Sequence, residues 1–147
     1  GDWSSDVCSS DLVKKYIIIK RNGLKIGVFA LDPKLEGLVS KVNYGIIKYL
    51  DPIAVANDMA TMLKKKQKCD LVICISHLGW EENGMGDQMM IAGSRDIDLV
   101  LGGHSHTYFK TLRYVKNLDG KDIPVDQNGK NAIYVGKMVL DFTQNKK

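Results

Sequence analysis

The sequence predicts an α/β fold in which buried parallel strands alternate with helices. Two apolar runs, DLVICIS at 70–76 and IDLVL at 97–101, have the length and unbroken apolar character of strands covered on both faces. Residues 86–94 (GDQMMIAGS) lie between them and predict a helix. A strand, a helix and a second strand in this order predict a right-handed crossover. The two strands are then parallel and end at the same edge of one sheet.

The segment before this unit predicts a hairpin followed by a surface loop. The runs YIIIK at 16–20 and LKIGVFAL at 24–31 flank Arg21-Asn22-Gly23, an Asn-Gly signal for a tight turn. Residues 32–44 contain proline, glycine and serine without a sustained period, so we expect a loop there. Residues 46–50 (IIKYL) predict a short strand.

A helix is predicted from 51 to about 68. Asp51 is a capping carboxylate, and Pro52 stands at the first helical position. Apolar side chains then recur at helical spacing and predict a core-facing surface; they are Val55, Met59, Met62 and Leu63.

The last third of the chain predicts further strands. Residues 110–115 and 122–125 flank NLDGK at 117–121 and predict a second hairpin. Residues 132–135 and 137–142 follow as two more expected strands. The alternation in the last of them indicates a half-buried strand.

The three histidines of the chain all follow predicted strands. His77 comes after the first apolar run, and His104 and His106 come after the second, in the sequence GGHSH. Glycines at 102 and 103 allow the backbone to turn sharply, and ligands of open α/β sheets bind at this strand end. Because imidazole is the commonest metal ligand near neutral pH, we expect at least two of the three to bind metal.

The loop at 79–86 and the cysteines are weaker candidates for a functional site. The loop GWEENGMG at 79–86, which contains Glu81 and Glu82, is interpreted as mobile, or else as a lid with Trp80 as an apolar wall. Cys69 and Cys74 are too few and too poorly placed for a disulfide framework or a thiolate site. Cys74 is predicted to be a core residue.

Several motifs in order resemble one family. SHLG at 76–79 and GGHSHT at 102–107, with GLKIGVFALD and YGIIKYLDPIAVAN before them, are similar to the calcineurin-like metallophosphoesterases, within them the 5'-nucleotidase and 2',3'-cyclic phosphodiesterase family. The similarity runs from about residue 13 to the end. It implies the C-terminal half of a four-layer αββα metallophosphoesterase sandwich with mixed sheets. Residues 13–147 would then be a partial domain, without its N-terminal half and without the C-terminal nucleotidase domain.

The resemblance also implies a function. The full-length protein would be a metal-dependent phosphoric ester hydrolase that removes phosphate from nucleotides by attack of metal-activated hydroxide. Two divalent ions, zinc, manganese or iron, would be bound, one by His77 and His104 and the other by His106. The family's remaining ligands lie in upstream D-x-H, GD and GNHE motifs, so we expect no catalytic residue in this fragment and no phosphatase activity from it. The resemblance also implies that Glu81 and Glu82 bind no metal. Nucleotides or other small phosphoesters are the implied substrates. A periplasmic, secreted or cell-surface location is implied.

The first twelve residues, GDWSSDVCSSDL, resemble the translation of a sequencing-library adapter, so Gly1-Asp2 is not interpreted as a metal motif. Three of the 17 acidic residues lie there, and residues 13–147 carry 14 acidic and 21 basic side chains, a formal net charge of +7. No basic patch interleaved with aromatic residues indicates a nucleic-acid partner. No apolar segment is long enough to span a membrane.

Two alternatives to the hydrolase remain open. One is a non-enzymatic α/β module that binds a metal or a partner. The other is a small histidine metal-binding protein that acts alone.

Overall fold

The computed structural model describes residues 14–81 and 84–143, so the adapter-like segment 1–12 and Glu82 lie outside the described residues. Six strands form one mixed sheet in the order β1-β2-β3-β4-β6-β5. The four central strands β2, β3, β4 and β6 are parallel, and β1 and β5 pair antiparallel at the two edges. The strands are β1 (Tyr16–Arg21), β2 (Leu24–Leu31), β3 (Leu71–Ser76), β4 (Leu99–Leu101), β5 (Arg113–Lys116) and β6 (Asp122–Asp126).

Both predicted hairpins are confirmed. In the first, Asn22 (φ 51°) and Gly23 (φ 79°) form the turn between β1 and β2, with Arg21 paired to Leu24. Two successive positive φ angles are the geometry that an Asn-Gly pair adopts most easily, and they match the twist of the strands. The second hairpin joins β5 and β6.

The helices follow the predicted order. They are α1 (Lys41–Tyr44), α2 (Pro52–Thr61), which continues as a π-helical segment over Met62–Lys66, and α3 (Asp87–Ala92). The Asp51 carboxylate accepts hydrogen bonds from the backbone N–H groups of Ile53 and Ala54, both at 3.3 Å, so the predicted cap is confirmed. The single turn α1 lies within the segment expected to be a loop. None of the helices in the described part of the chain is long and apolar enough to span a membrane.

The helices pack on one face of the sheet. This face presents buried apolar side chains from four strands, among them Phe29, Val72, Cys74, Val100 and Val125. Across from them lie the buried helix residues Ala56, Ala60, Leu63, Met90 and Ile91. The predicted core-facing surface of α2 and the predicted burial of Cys74 are therefore confirmed.

The opposite face of the sheet is apolar and only partly covered by the described residues: Leu71 and Leu99 on this face are buried, whereas other members of it are exposed. Strand register aligns Ile17 with Val28 and Ile73, and Ala30 with Ile75 and Leu101, across the sheet. Ile75 is 50% exposed although it lies in a central strand. Because a parallel sheet is ordinarily covered on both faces, this exposure is unusual. We call this surface the open face; it comprises Ile17, Ile19, Val28, Ala30, Ile73, Ile75 and Leu101.

Three predicted strands are wrong. Residues 46–50, 132–135 and 137–142 form no ladder with any strand of the described ranges, and Ile46, Val139 and Phe142 are exposed rather than half buried. An apolar or alternating run becomes a strand only where a neighbouring strand supplies hydrogen-bond partners.

Candidate metal centre

His77 is positioned by the end of β3. Its backbone N–H donates to the carbonyl of Leu31 at 2.8 Å, which extends the ladder between β2 and β3 by one residue. The residues on either side of His77 are joined by a hydrogen bond from the N–H of Leu78 to the hydroxyl of Ser76 at 3.1 Å. The peptides before and after His77 are therefore both hydrogen-bonded, while His77 itself is exposed at the sheet edge.

The second group of histidines follows β4. The N–H of Gly102 donates to the carbonyl of Asp126 at 2.8 Å, and the chain then turns through Gly103. His104 (φ 70°) and His106 (φ 57°) both adopt left-handed backbone conformations. Such conformations are unfavourable for residues with a Cβ and concentrate at functional sites. This loop is therefore a strained segment that bears two histidines.

The rings of His77 and His104 lie together. Their centroids are 5.1 Å apart and their planes are inclined by 55°. Two imidazoles bound to one tetrahedral ion through metal–nitrogen bonds of about 2.0 Å have centroids roughly 5 Å apart. The crossover predicted from the sequence thus brings these two rings to one sheet edge, at a spacing that fits a shared divalent ion.

His106 is not in ring contact with the other two. It is exposed and stands two residues beyond His104 in the same loop. Within residues 14–81 and 84–143, no group of three or more histidine, cysteine or carboxylate side chains is close enough to hold one ion. The described chain therefore offers a pair of ligands and a single one, and each ion would need ligands from elsewhere.

A buried glutamine holds the loop that carries His104 and His106. The Gln127 side-chain oxygen accepts hydrogen bonds from the N–H of Thr107 at 2.6 Å and from the hydroxyl of Ser105 at 3.0 Å. Ser105 in turn accepts the N–H of Trp80 at 3.0 Å, which links the loop after β4 to the loop after β3. Trp80 packs edge-on against Phe109, with ring centroids 4.9 Å apart, so it forms part of the support beneath both loops.

A buried aspartate lies beneath the same two loops. Asp87, the first residue of α3, has no exposed surface, and its Oδ1 accepts the hydroxyl of Ser76 at 2.5 Å. Burial raises the pKa of Asp87 from 3.8 to about 6, against the opposing effect of the Ser76 hydrogen bond. Its Oδ2 has no hydrogen-bond partner among the described residues. The chain therefore keeps an energetically unfavourable buried carboxyl group beside Ser76 and Gly102, the residues that shortly precede His77 and His104.

Sequence reasoning missed both Asp87 and Gln127. An acidic residue in a first helical turn is ordinarily a solvated residue that favours the helix dipole, and a glutamine after a strand is ordinarily exposed. Only the crossover of α3 beneath the strand ends brings Asp87 under the histidines.

An apolar cleft of about 730 Å³ adjoins His77. Its walls come from the segment between β2 and α2, including Tyr44, Tyr49 and Leu50, and from Leu31 at the end of β2. Residues 32–44, expected to be a surface loop, and residues 46–50, expected to be a strand, thus contribute to a concave surface next to one of the histidines.

Comparison with known proteins gives two related enzyme groups. The chain is 28% identical over 147 residues to an apyrase of Tabanus yao, across 89% of this chain and 25% of that protein. It is 33% identical over 105 residues to a 5'-nucleotidase of Vibrio cholerae, across 64% of this chain and 19% of that protein. The chain therefore spans about a fifth to a quarter of the length of the curated relatives it matches. No protein-family model matches the chain.

Solved structures support the same relationship. A 5'-nucleotidase precursor from Thermus thermophilus superimposes with a TM-score of 0.68 at 26% identity, over 80% of this chain and 24% of that one. The calcineurin-like phosphoesterase YfkN from Bacillus subtilis shares the fold, with a TM-score of 0.60 at 22% identity, over 81% of this chain and 42% of that one. The resemblance and the α/β fold class predicted from the sequence are confirmed. Because the relatives are named as hydrolytic enzymes, the non-enzymatic alternative is not favoured.

Proposed function

We propose that this chain, which is homologous to one part of the 5'-nucleotidase-type calcineurin-like metallophosphoesterases, supplies one wall of a two-metal phosphoester hydrolase. The observation that carries the proposal is the pairing of the His77 and His104 rings, 5.1 Å apart, at the ends of adjacent parallel strands. His77 and His104 would hold one divalent ion and His106 the second. Histidine ligands combined with carboxylate ligands would suit zinc, manganese or iron.

Bound divalent ions in such a site supply a nucleophile at neutral pH and stabilise the negative charge that develops on the phosphoryl oxygens. The described residues hold the histidines in position. Strands β3 and β4 fix the two loops relative to each other, and the hydrogen bonds around Ser76 and Gln127 limit the movement of the histidine backbones. A ligand pair held at the correct spacing before binding loses less freedom when the ion arrives.

The domain boundary is part of the proposal. Residues 13–147 would be a partial domain whose missing half covers the open face and completes the metal ligands. Exposure of Ile75 in a central strand and of the neighbouring Leu101 supports this reading, because burial of such a surface is strongly favourable. His77 follows β3 at the border of this face, so a covering layer would also approach the proposed metal ligands.

The proposed substrates are nucleotides or other small phosphoesters. The relatives include proteins named 5'-nucleotidase and NAD nucleotidase, and these names describe those proteins. A periplasmic, secreted or cell-surface location belongs to the same proposal. One solved relative is titled a 5'-nucleotidase precursor.

Phosphate release from AMP tests the proposal. With zinc or manganese, the 147-residue chain is expected to remain at background, whereas the chain extended upstream by the native residues preceding Val13 is expected to hydrolyse AMP. His104→Ala in the longer chain should abolish release, and Lys110→Ala, an exposed change shortly after the same loop, should not. Robust hydrolysis by the 147-residue chain, or full activity of the His104 variant, would contradict the proposal. Tight stoichiometric zinc binding by the short chain alone would instead favour a small metal-binding protein.

A further inference from the structure

We propose that Asp87 is a positioning residue for the histidines: a single buried carboxylate sets the placement of the loop that carries His77 relative to the loop that carries His104 and His106. The expected effect of Asp87 on metal binding rests on the metal site proposed above. The effect of Asp87 on the placement of the two loops does not, because it is a property of the chain without metal.

Asp87 holds the loop after β3 at two points. Its carboxylate accepts the Ser76 hydroxyl at 2.5 Å, and that hydroxyl in turn accepts the N–H of Leu78 at 3.1 Å. His77 lies between these two residues, so the Ser76 hydroxyl connects Asp87 to the peptide that follows His77. The backbone N–H of Asp87 also donates to the carbonyl of Gly79 at 2.7 Å. One residue of α3 therefore fixes the chain on both sides of His77.

The second carboxylate oxygen faces the other loop. A Cβ placed on Gly102 would lie 2.6 Å from Asp87 Oδ2 and 3.2 Å from Gln127 Nε2. The β4 backbone thus passes directly against the carboxylate, two residues before His104. Gln127 Nε2 lies on this same side of Gly102, and the Gln127 side-chain oxygen accepts hydrogen bonds from Ser105 and Thr107. Gln127 therefore holds the loop with His104 and His106, and the Asp87 carboxylate lies against the backbone where that loop begins.

An apolar residue could fill the space beneath the sheet edge, but it could not bind Ser76. A buried carboxyl group is unfavourable unless it is hydrogen-bonded, and Oδ2 of Asp87 has no partner among the described residues. Natural chains retain such groups where they specify geometry or function rather than stability. The position of Asp87 between the two histidine loops supplies that geometric purpose.

Variants of two buried serines test the proposal in the 147-residue chain. Ser76→Ala removes the hydroxyl that joins Asp87 to the His77 loop. Ser94→Ala is its matched control, because Ser94 is equally buried and its hydroxyl donates only within the α3 region, to the carbonyl of Ile91. Asp87→Ala removes the carboxylate, and Asp87→Asn keeps an oxygen that accepts the Ser76 hydroxyl.

Two readouts distinguish placement from general stability. The first is the nuclear Overhauser effect between the His77 and His104 rings without metal, and the second is the zinc dissociation constant by calorimetry. Both are measured at a temperature at which circular dichroism shows each variant folded. Ser76→Ala and Asp87→Ala should lose the ring contact and weaken zinc binding by about tenfold or more, as changes in residues that orient ligands do. Ser94→Ala and Asp87→Asn should retain both.

Retention of the ring contact and of wild-type zinc affinity in folded Ser76→Ala would overturn the proposal. If Asp87→Ala does not fold, the comparison of the two serine variants decides. If the wild-type chain shows the ring contact but binds no zinc, the proposed metal site fails while the ring contact still tests the role of Asp87. If the wild-type chain shows no ring contact, the placement inferred for Asp87 is wrong.

Discussion

Substitution of Gly102 by alanine is expected to be strongly destabilising, although its backbone conformation suits alanine. Neither Gly102 nor its neighbour Gly103 has a positive φ. The new Cβ would stand 2.6 Å from Asp87 Oδ2, closer than a carbon and an oxygen can approach, and both Asp87 and Gln127 are buried without free space around them. The carboxylate must therefore move, and its hydrogen bond to Ser76 is lost.

The magnitude follows from two costs and one gain. Overpacking costs about 1–3 kcal/mol, and a buried polar group left unpaired costs about 1–3 kcal/mol. Alanine restricts the unfolded chain and returns about 0.4–1 kcal/mol. We expect Gly102→Ala to lower the free energy of unfolding by about 2–4 kcal/mol.

Gly103→Ala is the matched control. Its Cβ would meet only the Ser76 carbonyl at an ordinary 3.5 Å, so this variant should be neutral or up to about 1 kcal/mol more stable. Urea unfolding of both variants measures the difference. Equal stability of the two would refute the packing described around Asp87.

Three further predictions concern pH, the helix cap and the open face. Because burial raises the pKa of Asp87 to about 6, the folded chain keeps a proton that the unfolded chain releases near pH 3.8. The stability due to this group is complete below pH 3.8 and is lost as pH rises to about 6. The difference in unfolding free energy between wild type and Asp87→Asn should therefore change over this window by on the order of 3 kcal/mol, and no change would contradict the raised pKa. Asp51→Ala removes two capping hydrogen bonds and should cost about 1 kcal/mol in urea unfolding, whereas an unchanged midpoint would mean that the cap contributes nothing. Ile75→Lys, at a half-exposed position, should change the stability of the 147-residue chain by roughly 0.5 kcal/mol or less and that of the upstream-extended chain by several kcal/mol; equal effects in both would argue against a covering layer.

The parts of the fold predicted from sequence are those specified by local chemistry. Asn22-Gly23 determines the first hairpin turn, and Asp51-Pro52 determines the start of α2. The crossover between β3 and β4 follows from chain order and handedness, and it predicted that His77 and His104 would lie at the same sheet edge.

The parts that failed depend on partners distant in sequence. Residues 132–142 alternate as a strand does, but they pair with no strand of the described sheet. Asp87 has the local signature of an exposed helix residue, and its burial follows only from the packing of α3 beneath two strand ends. Similarly, the open face was predicted to be buried. Apolar residues in a strand indicate that the strand is suited to burial, but they do not indicate which part of the protein covers it.

Nuclear magnetic resonance of the imidazole nitrogens during a zinc titration tests the central claim most directly. We predict that one ring nitrogen of His77 and one of His104 respond together over the same range of zinc concentration, while His106 responds separately. A response of His77 and His104 at different zinc concentrations, or of neither, would contradict a shared ion at the ends of β3 and β4.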